Sequence, residues 1–94
     1  MDLEILLASL STRSKEAFLA KTLSLLSEEE KELLRVYFEE GRSLLRTSEK
    51  LFLHKNTLQY KLDRIHRISG LNPRDFKDSV LLYLAVLLKY TIPE

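Results

Sequence analysis

The chain has 94 residues, room for one domain or a piece of one, and so short a chain buries only roughly 60–65% of its unfolded surface. It has no Cys, which excludes disulfides, thiolate zinc sites and cysteine nucleophiles, and two Gly, two Pro and abundant Leu favour an all-α fold. The net charge of +1 conceals a split: residues 1–41 hold five Lys/Arg against nine Asp/Glu (−4), residues 42–67 seven against two (+5), and residues 68–94 three against three (0).

In chain order, Asp2 to Leu10 and Ser14 to Leu26 read as two short helices, the second with Ser14 as N-cap and Phe18, Leu19, Leu23 and Leu26 apolar. Residues 1–26 form a dimerising extension or the remnant of an upstream region, and residues 27–94 the main domain. The stretch SEEEKELLRVYFEEG predicts the clearest helix. Ser27 and Glu30 have capping-box spacing, three glutamates suit the positive end of the helix dipole, and Gly41 stands where the helix should stop. Its apolar side is Leu33, Leu34, Tyr37 and Phe38.

A helix capped by Ser43 follows, with Leu44, Leu45, Ser48, Leu51 and Phe52 expected to face inward. After a break near Leu53 and His54 comes a long helix from Lys55 to Ser69, stopped by Gly70. Asn72 as cap and Pro73 in the first helical position predict the restart. The last helix, about Asp78 to Thr91, is apolar on nearly every side, which predicts burial from several directions, one of them a second subunit.

The stretch LFLHKNTLQYKLDRIHR carries the chemistry. With Leu58 at zero and steps of about 100° per residue, Leu62 falls near 40° and Ile65 near 340°, so these three define the core side, with Ile68 at its edge. The far side presents Asn56, Gln59, Tyr60, Asp63, Arg64 and Arg67. A face serving only solubility is usually Glu and Lys. Amides pair bidentately with adenine edges, and a phenol bonds a phosphate or packs on a thymine methyl or sugar. Lys55, Asn56, Gln59 and Tyr60 are therefore the candidates for reading base edges. Arg46, His54, Thr57, Lys61, Arg64 and Arg67 are the candidates for holding phosphates. Ser48 supplies a small residue at the helix crossing, and Leu51, Leu53, Leu58 and Leu62 the apolar contacts that brace a helix-turn-helix over about residues 43–69. Apolar pairs at this spacing also occur in ordinary helical hairpins.

The stretch TSEKLFLHKNTLQYKLDRI resembles the C-terminal helix-turn-helix of PucR/CdaR-type regulators, the purine-catabolism and sugar-diacid regulator family. The matching residues are Thr47, Leu51, Phe52, His54, Asn56, Thr57, Leu58, Tyr60, Leu62, Arg64 and Ile65. The likeness runs from about Leu33 to Leu88. Departures are Ser48 for the usual Ala, Lys55 and Lys61 for arginines, which keeps the charge and loses the bidentate fork, and Leu45 where a polar residue often opens the first motif helix. The resemblance implies duplex-DNA binding in transcription regulation. Because the family usually carries a long N-terminal sensory region, it also implies that this chain is a fragment or stand-alone copy of the output domain, or that its sensor belongs to another polypeptide.

His54 and His66 lie about 120° apart around a helix, so neither a metal site nor any cofactor is expected. Ser, His and Asp show no catalytic arrangement, and Glu49, Asp63, Asp75 and Asp78 read as caps and surface charges, so no enzyme activity is expected. The N-terminus lacks the features of a secretion signal, and the run Val80 to Leu88 falls short of a membrane span, which makes a cytoplasmic protein the expectation. The fold expected is a small all-α domain built on a helix-turn-helix, with extra N-terminal helices and an apolar C-terminal helix, acting as a homodimer on double-stranded DNA. Two other functional classes fit the same residues: a helical docking module whose basic strip meets an acidic protein, and a nucleoid-type architectural DNA binder.

Overall fold

The computed structural model describes residues 11–91. The described chain is all-α, with five helices: α1 (Thr12–Leu23), α2 (Glu28–Glu39), α3 (Leu44–Leu51), α4 (Lys55–Ser69) and α5 (Phe76–Thr91). The helix expected over Asp2 to Leu10 lies outside the described residues.

Local chemistry sets most of the helix ends. α1 is capped three residues before the expected Ser14: Ser11 is the N-cap, and its side chain accepts from the Ser14 backbone N–H at 3.1 Å. A hydroxyl caps by reaching forward to the third residue, and Ser14 is that donor. α1 also ends at Leu23, with Leu26 closing a turn onto the Leu23 carbonyl at 3.0 Å. The capping box forms as the sequence predicts. Glu30 N donates to Ser27 Oγ at 3.1 Å and Ser27 N donates to Glu30 Oε1 at 2.9 Å. At its other end α2 closes with Gly41 in the left-handed region (φ 62°), where Gly41 N bonds Phe38 O and Arg42 N bonds Tyr37 O.

α3 is capped by Ser43, which accepts from Arg46 N at 3.1 Å. Its inward stripe is Leu44, Thr47, Ser48 and Leu51, the i, i+3, i+4, i+7 row. Two residues expected inside are not. Leu45 is 52% exposed, one residue round the helix from that stripe, and Phe52 is 94% exposed. The helical progression stops at Leu51. Phe52 takes φ 55° and ψ 40°, which swings its ring outward.

α4 buries Leu58, Leu62 and Ile65 completely, as the wheel predicts, with Ile68 half-buried beside them. Gly70 ends it in the left-handed region, its N–H on the His66 carbonyl at 2.9 Å. The restart differs from expectation. Asn72 opens a local turn, its Oδ1 accepting from Arg74 N, and Pro73 is buried in that turn and precedes the helix. Asp75 performs the capping, accepting from Asp78 N at 3.1 Å, so α5 begins at Phe76.

A single core joins the helices. Leu23 and Leu26 meet Leu33, Leu34 and Tyr37 of α2, Leu58, Leu62 and Ile65 of α4, and Leu82, Ala85 and Val86 of α5. Fully burying each leucine is worth about 1.5–3 kcal/mol, so the α4 stripe alone is a strong anchor. α5 packs on α1 and α2, α3 on α2 and α4. α5 is not buried from every side: Phe76, Val80, Leu81, Tyr83 and Tyr90 are exposed. Phe38 meets Tyr83 edge-on at 5.5 Å between centroids, and both Phe18 and Phe38 are half-buried.

Candidate nucleic-acid interface

α3 and α4 are separated only by Phe52, Leu53 and His54. The turn has two backbone bonds that satisfy the end of α3, Leu53 N to Ser48 O at 2.9 Å and Phe52 N to Glu49 O at 3.3 Å. This is a Schellman closure, in which glycine is the usual left-handed residue and Phe52 stands instead. Ser48, buried at the crossing, donates its hydroxyl to Leu45 O at 2.7 Å, which disposes of the polar group that replaces an alanine. The fully buried Thr47 hydroxyl, by contrast, has no hydrogen-bond partner.

His54 is the N-cap of α4. Its Nδ1 accepts from the Asn56 backbone N–H at 3.1 Å, so a neutral ring carries its proton on Nε2, and the ring itself is exposed. Beyond this cap the first two turns of α4 hold Lys55, Asn56, Thr57 and Tyr60 exposed and Gln59 half-buried. Tyr60 is 62% exposed, and the Arg67 guanidinium lies 5.9 Å from its ring centroid, two helical turns along the same face. The four base-edge candidates therefore share the N-terminal end of α4, with Asn56, Gln59 and Tyr60 on the side away from Leu58, Leu62 and Ile65 and Lys55 exposed at the first helical position.

The charged phosphate candidates divide in two. Arg46 and Arg67 are exposed and form no ion pair among the described residues; the same holds for the base-edge candidate Lys55 and for Lys50, a further cation on α3. Arg46 and Lys50 line a shallow cleft with Glu40, Glu49 and Phe52. Lys61 and Arg64 are engaged within the chain. Lys61 Nζ bonds Glu29 Oε1 at 2.9 Å, and Arg64 Nη1 bonds Glu30 Oε2 at 2.9 Å. These pairs span 32 and 34 residues of sequence, beyond the reach of helical periodicity. The available signal is the run of three glutamates at the start of α2, which by itself suits the helix dipole and the capping box.

Elsewhere on α2, charges are matched along the helix. Arg35 is gripped by Glu32 and Glu39, which raises its pKa and, through the Arg35 hydrogen bond, holds the Glu32 carboxyl below its ordinary range. Lys31 does the same for Glu28. His54 and His66 belong to no cluster of three or more potential metal ligands among the described residues, and no described helix is long and apolar enough to cross a membrane.

Two helices joined by a three-residue turn, the second presenting its polar N-terminal end outward, define a helix-turn-helix protein. The sequence profile of the PucR C-terminal helix-turn-helix domain matches residues 31–88, more than half of the chain, and the chain belongs to that family. It is 37% identical over 82 residues to the carbohydrate diacid regulator of Escherichia coli K12, an alignment covering 87% of this chain and 18% of that one. It is 41% identical over 92 residues to an uncharacterized protein of Haemophilus influenzae, covering 94% of this chain and 25% of that protein. With the protein YxkF of Bacillus subtilis the identity is 32% over 75 residues, 77% of this chain and 25% of YxkF. The chain thus spans a quarter or less of the length of these relatives. No solved structure matches it. The family is a transcription-regulator helix-turn-helix domain and not an enzyme class.

Proposed function

We propose that this domain binds duplex DNA with sequence preference, placing the N-terminal half of α4 in the major groove as the output part of a transcription regulator. The observation that carries the reading is the face of Asn56, Gln59 and Tyr60, turned away from a fully buried stripe that anchors the helix, with Lys55 exposed at its first position. Asn56 and Gln59 read base edges, with Lys55 and Tyr60 beside them. Arg46, Thr57, Arg67 and the outward Nε2–H of His54 meet the phosphates on either side. α3 crosses the backbone and sets the angle of entry.

The same reading takes the domain as one half of a symmetric dimer, with recognition helices about 34 Å apart or a multiple of that. The exposed apolar row of Phe76, Val80, Tyr83 and Tyr90 supports it. Family membership and the length of the relatives support a sensory part, carried on the same or another polypeptide, and the cytoplasm as the compartment.

Selection of bound sites from a random duplex pool tests the reading. The expected result is an enriched sequence with half-site symmetry. Asn56→Ala or Gln59→Ala should change the preferred base at a cost of about 1–3 kcal/mol. Arg46→Ala should weaken all sequences alike and make the salt slope about 1 shallower. A domain silent toward random duplex at low salt would instead be a protein-docking module, and one that binds without enriching any sequence would be an architectural binder.

A further inference from the structure

The flank of α4 facing α2 holds two cations, and each meets a carboxylate. Lys61 and Arg64 are three residues apart, neighbours on a helix surface, and Glu29 and Glu30 are consecutive at the start of α2, so the two ion pairs lie side by side. Glu30 has no freedom to leave. Its side chain is only 9% exposed, one oxygen is held by the Ser27 backbone N–H in the capping box, and the other takes Arg64. The carboxylate that caps α2 is also the one that neutralises the recognition helix.

Exposed ion pairs contribute little to folding. Toward a polyanion the effect is different. A cation already paired with carboxylate releases no counterion when a phosphate approaches, and the carboxylates repel the phosphate as well. Of the four Lys and Arg residues on α4, Lys55 and Arg67 stay free and Lys61 and Arg64 do not. We propose that Glu29 and Glu30 are specificity-determining residues. By withholding Lys61 and Arg64 from DNA phosphates they suppress sequence-independent binding and leave discrimination to the free face around Asn56 and Gln59. This rests on the DNA-binding reading above. It also sets Lys61 and Arg64 apart from the phosphate contacts made by Arg46 and Arg67.

The test compares the full chain with Glu29→Gln, and with Glu29→Gln combined with Glu30→Gln, on a selected and a random duplex over a range of salt. Glutamine serves at the third position of a capping box as glutamate does, so the double variant keeps the cap and loses the charges. Glu29, 76% exposed and outside the cap, carries the test alone if the double variant does not fold. The salt slope on random DNA should steepen by about 0.9 for each cation released, about 1.8 for both, and the ratio of selected to random affinity should fall. Lys61→Ala should leave the slope unchanged in the wild-type chain and make it shallower by about 0.9 in the Glu29→Gln chain. A wild-type chain that binds neither duplex overturns the DNA-binding reading itself. One that binds with slopes indifferent to Glu29→Gln and Glu30→Gln, or that already shows the full Lys61→Ala effect, overturns this inference and leaves that reading standing.

Discussion

His54 Nδ1 accepts a 3.1 Å hydrogen bond from the backbone N–H of Asn56, so one imidazole closes the start of α4 and turns its remaining N–H outward. The two roles separate by substitution. His54→Ala should lower stability by about 1 kcal/mol through loss of the cap. His54→Asn, an able cap, should restore stability without restoring affinity for duplex DNA. Urea unfolding and a binding titration on the same three proteins check this. Equal midpoints for the wild type and His54→Ala would show that the cap contributes nothing.

Phe52 holds a left-handed backbone, φ 55°, while its ring is 94% exposed. A left-handed conformation costs a residue with a Cβ about 1–2 kcal/mol, and an exposed ring returns little packing to offset it. Phe52→Gly should therefore be stabilising by about 0.5–1 kcal/mol, visible as a higher melting temperature. A destabilised Phe52→Gly would mean that the ring makes contacts which its exposure denies.

The Thr47 hydroxyl is fully buried and has no hydrogen-bond partner. Valine has the same branched shape without the polar atom. Removing an unsatisfied buried polar group should raise stability by about 1–3 kcal/mol. Thr47→Val unfolding at a higher denaturant concentration with an unchanged m-value is the expected outcome, and Thr47→Val weaker than the wild type would count against it.

Burial pushes the Tyr37 phenol above its ordinary range, partly countered by Arg42 and Arg74. A folded-state pKa above the unfolded one gives stability that is complete below the unfolded value and fades as pH climbs from there through the folded one. The wild type should thus lose stability relative to Tyr37→Phe above about pH 10, and the two should run parallel between pH 6 and 9. Paired denaturation curves across the alkaline range measure the difference, and parallel curves throughout would remove the effect.

Helix ends were legible where one residue speaks to another three or four away. Ser27 with Glu30, Ser43 with Arg46, Gly41 and Gly70 all act as their positions in the chain predict. Ends are ambiguous where several acceptors stand close together, as with Ser11 against Ser14 and Asp75 against Asn72, because each can cap and only the surrounding packing selects one. Phe52 lies one residue past the end of its helix, where periodicity no longer applies.

The candidate interface divides along the same line. Amino-acid order by itself determined that Leu58, Leu62 and Ile65 form one stripe and that Asn56 and Tyr60 face away from it, since a helix turns about 100° per residue whatever surrounds it. Which cations stay free was decided only by tertiary structure. Arg64 looks on the wheel as available as Arg67, with Lys61 on the flank beside it, and both differ from Arg67 because α2 delivers Glu29 and Glu30 to their side of α4. Helical periodicity is a property of neighbours in sequence. Charge pairing across the fold depends on which helix is packed alongside, and that is fixed by the shared core.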